Sequence, residues 1–102
     1  MERVYVYRSG DTLRVTPGVV IVRGGQQFEV VNATGVTVKV TLPEDARHPD
    51  QPEPTPIDSK KRKRIRTRNQ GDENTRGFEY AVVSSRGRRA RGNSDPVLII
   101  EN

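Results

Sequence analysis

The chain has 102 residues, a net charge of +5 and a pI near 10.1, and it contains no cysteine. That length allows one domain with one modest core. The missing thiols exclude disulfides, zinc–thiolate sites, iron–sulfur clusters and cysteine nucleophiles.

The first strand predicted is Arg3 to Arg8, a β-branched and aromatic run that starts too close to Met1 for a secretory leader. Ser9-Gly10-Asp11 reads as a turn, and Thr12 to Thr16 alternates like a second strand. Pro17-Gly18 interrupts it, and Val19 to Arg23 follows as a third run, continuous with the second through a kink. Gly24-Gly25 turns the chain into a fourth run, Phe28 to Asn32. Residues 36–42 place Val36, Val38, Val40 and Leu42 on one face and Thr37, Lys39 and Thr41 on the other, the pattern of a strand with one buried side.

From Pro43 to Asp58 the alternation stops. Five prolines and five acidic residues fall there, and the stretch is expected to be an extended loop, because proline lacks the amide that a sheet interior needs. Residues 59–68 are intensely basic. Phe78 to Ser85 reads as one strand, Arg86 to Gly92 as a second basic stretch, and Val97 to Glu101 as the last strand, entered through Pro96. No helical period of useful length occurs, and no apolar run approaches the ~20 residues of a membrane-spanning helix. The expectation is a single all-β domain over residues 1–102, a Greek-key β-sandwich of seven or eight short strands. Its core is expected to draw on Val4, Val6, Leu13, Val15, Val20, Val22, Phe28, Val30, Val38, Val40, Phe78, Tyr80, Val82, Leu98 and Ile100.

Three stretches resemble the cupredoxin family, the plastocyanin-like sandwiches. Val15 to Asn32 is similar to that family's early strands, with a Gly-rich turn leading into a strand that ends in Asn. Thr34 to Pro43 is similar to the strand that follows. Phe78 to Val82 and Gly92 to Ile100 are similar to the last two strands, which flank the copper loop. The resemblance implies the fold and not the electron transfer. A blue-copper centre takes two imidazoles and a thiolate, usually with an axial thioether. No histidine lies in residues 33–42, Val82 stands where the cysteine would fall, and residues 84–93 hold neither histidine nor methionine. No cofactor is therefore expected, and copper uptake should not exceed weak binding at His48 and the amino terminus.

The strongest functional signal is charge. Lys60, Lys61, Arg62, Lys63, Arg64, Arg66 and Arg68 crowd nine positions, and Arg86, Arg88, Arg89 and Arg91 follow. If residues 60–68 form a strand, Lys60, Arg62, Arg64, Arg66 and Arg68 share one face as a ladder of about 13 Å. Such a ladder could track phosphates or sulfates. Against this, basic edge strands discourage aggregation, and the acidic loop could fold back to neutralise part of the segment. No aromatic interrupts the basic run, which counts against base stacking. His48 reads as a solvent-exposed loop histidine. The carboxylate pairs Glu44-Asp45 and Asp72-Glu73 are only sequence neighbours, and Ser84-Ser85 has no placed base, so no enzyme is expected. Asn32-Ala33-Thr34 fits a glycosylation sequon and otherwise marks a turn. The leading expectation is a non-enzymatic, copper-free module that contacts another protein. The alternative is polyanion or nucleic-acid binding through the segment 60–68 and the loop 86–91.

Overall fold

A computed structural model describes residues 1–71, 75–85 and 95–101. Every regular element among them is a strand. In chain order these are β1 (Arg3–Ser9), β2 (Thr12–Thr16), β3 (Val19–Arg23), β4 (Gln27–Asn32), β5 (Val38–Thr41), β6 (Thr55–Ile57), β7 (Arg62–Arg66), β8 (Arg76–Glu79), β9 (Ala81–Ser84) and β10 (Val97–Glu101). Having no helix, the described chain has none long and apolar enough to cross a membrane.

One layer of the sandwich is the four-stranded sheet β2-β1-β4-β7. The other is built from β3-β10-β8 and β6-β5-β9, which share the run from β8 into β9. The run Phe78 to Ser85 is thus two strands and not the single one expected. β8 pairs with β10 and β9 with β5, and the switch falls at Tyr80, whose amide donates to the Pro96 carbonyl at 3.0 Å. A similar change of sheet joins β2 to β3, where Pro17 cannot donate to a ladder.

The loop expected over residues 43–58 contains β6, which pairs antiparallel with β5, Lys39 facing Pro56. Proline is tolerated there because β6 is the outer strand of its sheet. Thr55 and Ile57 turn inward and are buried. Pro43 to Arg47 is a compact turn, with both Ala46 and Arg47 amides donating to the Pro43 carbonyl.

Alternation places the core as the sequence predicts. All the expected core residues are buried except Val15, which is half-buried and packs against the cluster. Leu42 joins them from the alternating strand, while Val36 lies ahead of β5 and is half-buried. Ala46, Ile57 and Ile65 are also buried, from stretches whose polar composition hid them. Phe28 and Tyr80 meet at the centre, ring centroids 6.0 Å apart and planes tilted by 59°, one of the inclined arrangements that the ring quadrupoles favour.

Tyr80 carries a cost. Its hydroxyl is buried and has no hydrogen-bond partner among the described residues, and burial pushes the phenol pKa up. An unsatisfied buried hydroxyl is destabilising, so Tyr80→Phe should stabilise the fold by about 1–2 kcal/mol in urea unfolding. In the unfolded chain the phenol ionises near pH ~10. The native chain holds the proton to higher pH, so its stability is intact below that value and falls above it by about 1.4 kcal/mol per pH unit. Tyr80→Phe should remove that alkaline slope. An unchanged slope would show that the hydroxyl is not the group responsible.

Candidate binding faces

Asn32, which ends β4, is fully buried and its amide is fully used. Nδ2 donates to the carbonyls of Val36 at 2.8 Å and Ile57 at 2.9 Å. Oδ1 accepts from the Thr34 amide at 3.0 Å and lies 2.6 Å from the Thr34 hydroxyl. Asn32 therefore ties the turn after β4 to the end of β6. It is more than the turn residue expected, and its nitrogen is not accessible for glycosylation.

Val82 is buried in β9 opposite Val40. His48 lies in the 43–58 stretch and is only partly exposed, correcting the solvent-exposed reading. Its backbone amide donates to the Arg66 carbonyl, and its Nδ1 accepts from the Asp50 amide at 3.1 Å. With no cysteine in the chain and its one imidazole placed there, these residues do not fit a thiolate–imidazole copper centre. Among the described residues no three His, Asp or Glu side chains are placed to hold a metal.

A shallow cleft of about 340 Å³ brings together Glu53, Glu79 and Asp95 beside Tyr80, a grouping the sequence does not announce. Glu53 is paired with Arg47 at 3.2 Å. Of the pairs singled out in sequence, Glu44 and Asp45 are exposed, and Asp72-Glu73 lie outside the described residues. Ser84 is buried and Ser85 exposed.

The basic segment becomes the outer strand β7, but the expected five-residue ladder does not form. Lys60 precedes β7 in a left-handed turn, with φ 65°, and its Nζ donates to the Ala33 carbonyl at 3.3 Å. Lys61 ends that turn, its carbonyl accepting from the Asn32 amide. Arg68 lies beyond β7 and turns back, Nε donating to the carbonyls of Glu44 at 3.2 Å and Arg47 at 3.1 Å. Ile65 is buried opposite Phe28 and fixes the register, which leaves Arg62, Arg64 and half-buried Arg66 on the outer face. Lys63 is exposed opposite Val30. Among the described residues no ion pair joins the acidic loop to β7. The loop's ion pairs run from Glu53 to Arg47 at 3.2 Å and from Asp45 to Arg76 at 3.9 Å. Arg86, Arg88, Arg89 and Arg91 lie outside the described residues.

The outer face of the four-stranded sheet adds residues that the basic run alone does not show. Register places Thr16, Tyr5, Val31 and Arg62 in one row, and Arg3, Glu29 and Arg64 in the next. Tyr7 stands beside Arg14. Arg3 Nε donates to Glu29 Oε1 at 2.9 Å, and Arg62 Nη1 lies 3.6 Å from the same oxygen. The Tyr5 hydroxyl and then the Glu29 carboxylate raise the pKa of the Arg3 guanidinium. The cue was available in sequence, since period two in β1 puts Tyr5 and Tyr7 on the side away from Val4 and Val6.

The opposite layer ends differently. β3 is the outer strand of its sheet, paired on one side with β10. Val20 and Val22 point inward, while Val19 and Ile21 are about half exposed. Register sets Val97 and Ile99 beside them, both half-buried.

This architecture is cupredoxin-like. A purple cupredoxin from Nitrosopumilus maritimus superposes with a TM-score of 0.58 over 99% of this chain and all of that one, at 10% sequence identity. No protein-family model and no curated protein matches the sequence.

Proposed function

We propose that the chain is a non-enzymatic binding module of cupredoxin-like fold that holds no copper and contacts another protein along β3. The observation that carries this reading is an unguarded edge. Natural sheets protect their outer strands with lysine, proline or extreme shortness. β7 follows that rule with Arg62, Lys63, Arg64 and Arg66, and β6 follows it with three residues and Pro56. β3 instead presents Val19 and Ile21 on a five-residue strand. The occupant it suits is an extended, apolar segment of a partner, added as a further strand with its side chains over Ile21 and Ile99.

The test is a quantitative pulldown from the source cell with the wild-type chain and with Ile21→Lys, a substitution at an exposed position. Prey bound by the wild type should be lost from Ile21→Lys and kept by Arg62→Glu/Arg64→Glu. Equal capture by the wild type and Ile21→Lys would overturn the assignment of β3. A dimer in light scattering that Ile21→Lys abolishes would replace the foreign partner with a second copy.

A second reading, anion binding, is favoured by one specific observation. On the outer face of the four-stranded sheet, Arg3, Arg14, Arg62, Arg64 and Arg66 are set against the single carboxylate of Glu29. This surface replaces the ladder along residues 60–68.

A further inference from the structure

We propose that the outer face of the four-stranded sheet binds single-stranded nucleic acid, with Tyr5 and Tyr7 as the base-stacking rings and Arg3, Arg62 and Arg64 as the phosphate contacts; this rests on the anion-binding reading and extends it. Three features of the face point to this ligand class.

The first is charge. Five arginines stand against one glutamate, and that glutamate has a side chain only 10% exposed, beneath Arg3 and Arg62 at 47% and 63%. Glu29 therefore holds the two guanidiniums in place from below while leaving their outer edges to solvent. A positioned guanidinium binds phosphate in a forked, two-bond geometry that a lysine cannot supply.

The second is the pair of rings. Tyr5 is 42% exposed and Tyr7 half-buried on the same side of β1. Residues two apart on a strand are separated by about 6.8 Å, twice the ~3.4 Å rise of a stacked nucleic-acid strand. Consecutive bases would be drawn apart, one to each ring. A duplex, with its bases stacked and paired inside, cannot offer its base faces to such rings. Unpaired strands bind in this way, over aromatic side chains beside a basic track.

The third is the relation of rings to charges. Tyr5 lies in the same row as Arg62, separated only by Val31. Across two strand spacings the distance is about 10 Å, so a base over Tyr5 leaves its backbone directed toward β7. The aromatic residues absent from the basic run are supplied by β1 across the sheet.

The test uses fluorescence anisotropy with a labelled oligothymidylate, the same strand in duplex, heparin, and polyglutamate of matched charge. The chain has three tyrosines and no tryptophan, and Tyr80 is buried away from a surface ligand, so with Tyr80→Phe as the background the remaining tyrosine emission reports on Tyr5 and Tyr7. Oligothymidylate should bind more tightly than the duplex and quench that emission. Tyr5→Ala and Tyr7→Ala should each weaken it about tenfold, while Tyr5→Phe and Tyr7→Phe, which keep the rings, should not. Arg62→Glu/Arg64→Glu should remove binding, and Arg62→Gln/Arg64→Gln should lower the salt slope by about 1.4 at ~0.7 per phosphate contact. If duplex, heparin and polyglutamate bind as well as the single strand, and the alanine variants change nothing, the stacking proposal fails while anion binding survives. If none of the four binds at low salt, both fail.

Discussion

Replacing Asn32 with alanine is expected to destabilise the fold by about 3 kcal/mol. The side chain is fully buried and makes bonds to three residues. Removing it leaves the Ile57 carbonyl and the Thr34 amide without these partners in a site closed to water, and a buried unsatisfied group costs about 1–3 kcal/mol. The Val36 carbonyl is less affected, because the Thr34 hydroxyl also lies 2.9 Å from it. The near-isosteric Asn32→Asp separates shape from hydrogen bonding. A neutral carboxylic acid keeps one donor, and its anion keeps none. Burial raises the pKa of such an acid above ~3.9, so the variant should be most stable in acid and lose stability as pH rises through the shifted value. Urea unfolding across pH 4–8 measures this. An Asn32→Asp chain as stable as wild type at neutral pH would show that the two donated bonds do not hold the turn.

Ile65→Ala should be comparably severe, at about 2–5 kcal/mol. Ile65 is the only aliphatic residue in β7, is fully buried, and faces Phe28 across the ladder. It decides which cations of the strand point outward. Truncating it leaves a cavity beside Phe28 and removes the apolar anchor of an otherwise charged strand. Hydrogen exchange should show β7 amides opening before those of β1 and β4. If β7 protection survives Ile65→Ala, backbone pairing to β4 is sufficient to anchor the strand.

Much of this architecture is legible in sequence because short β-branched runs, some alternating and some continuous, are bounded by Gly, Pro and Asn turns. β1, β2 and β5 alternate in sequence, while β3 and β10 are unbroken apolar runs whose β-branched content marks them as strands; every predicted core residue is buried except Val15, and Leu42, Ala46, Ile57 and Ile65 complete the core. The misses have local causes. β6 is three residues long with Pro56 at its centre and Pro54 just ahead of it, so composition hides a strand that only an edge position tolerates. The break at Tyr80 leaves no trace in the apolar run, because strands on both sides of a sheet switch need the same residue types. The site was less legible. Lys60 and Arg68 belong to the right charge run but are consumed by backbone carbonyls, which only the turns flanking β7 reveal. Tyr5 shares a row with Arg62 only through two successive long-range pairings, Tyr5 to Val31 and Val31 to Arg62, a separation that no local pattern spans.

The contrast between β3 and β7 bears on self-assembly. Endless head-to-tail growth needs two different, mutually adhesive ends on each molecule. Within the second layer, strand addition is open at β3 and discouraged at β6 by Pro56. Two copies meeting β3 to β3 would use up the one flank of that layer that, among the described residues, presents exposed valine and isoleucine and would leave Pro56-bearing β6 at the other, so this geometry ends in a closed pair and not a filament.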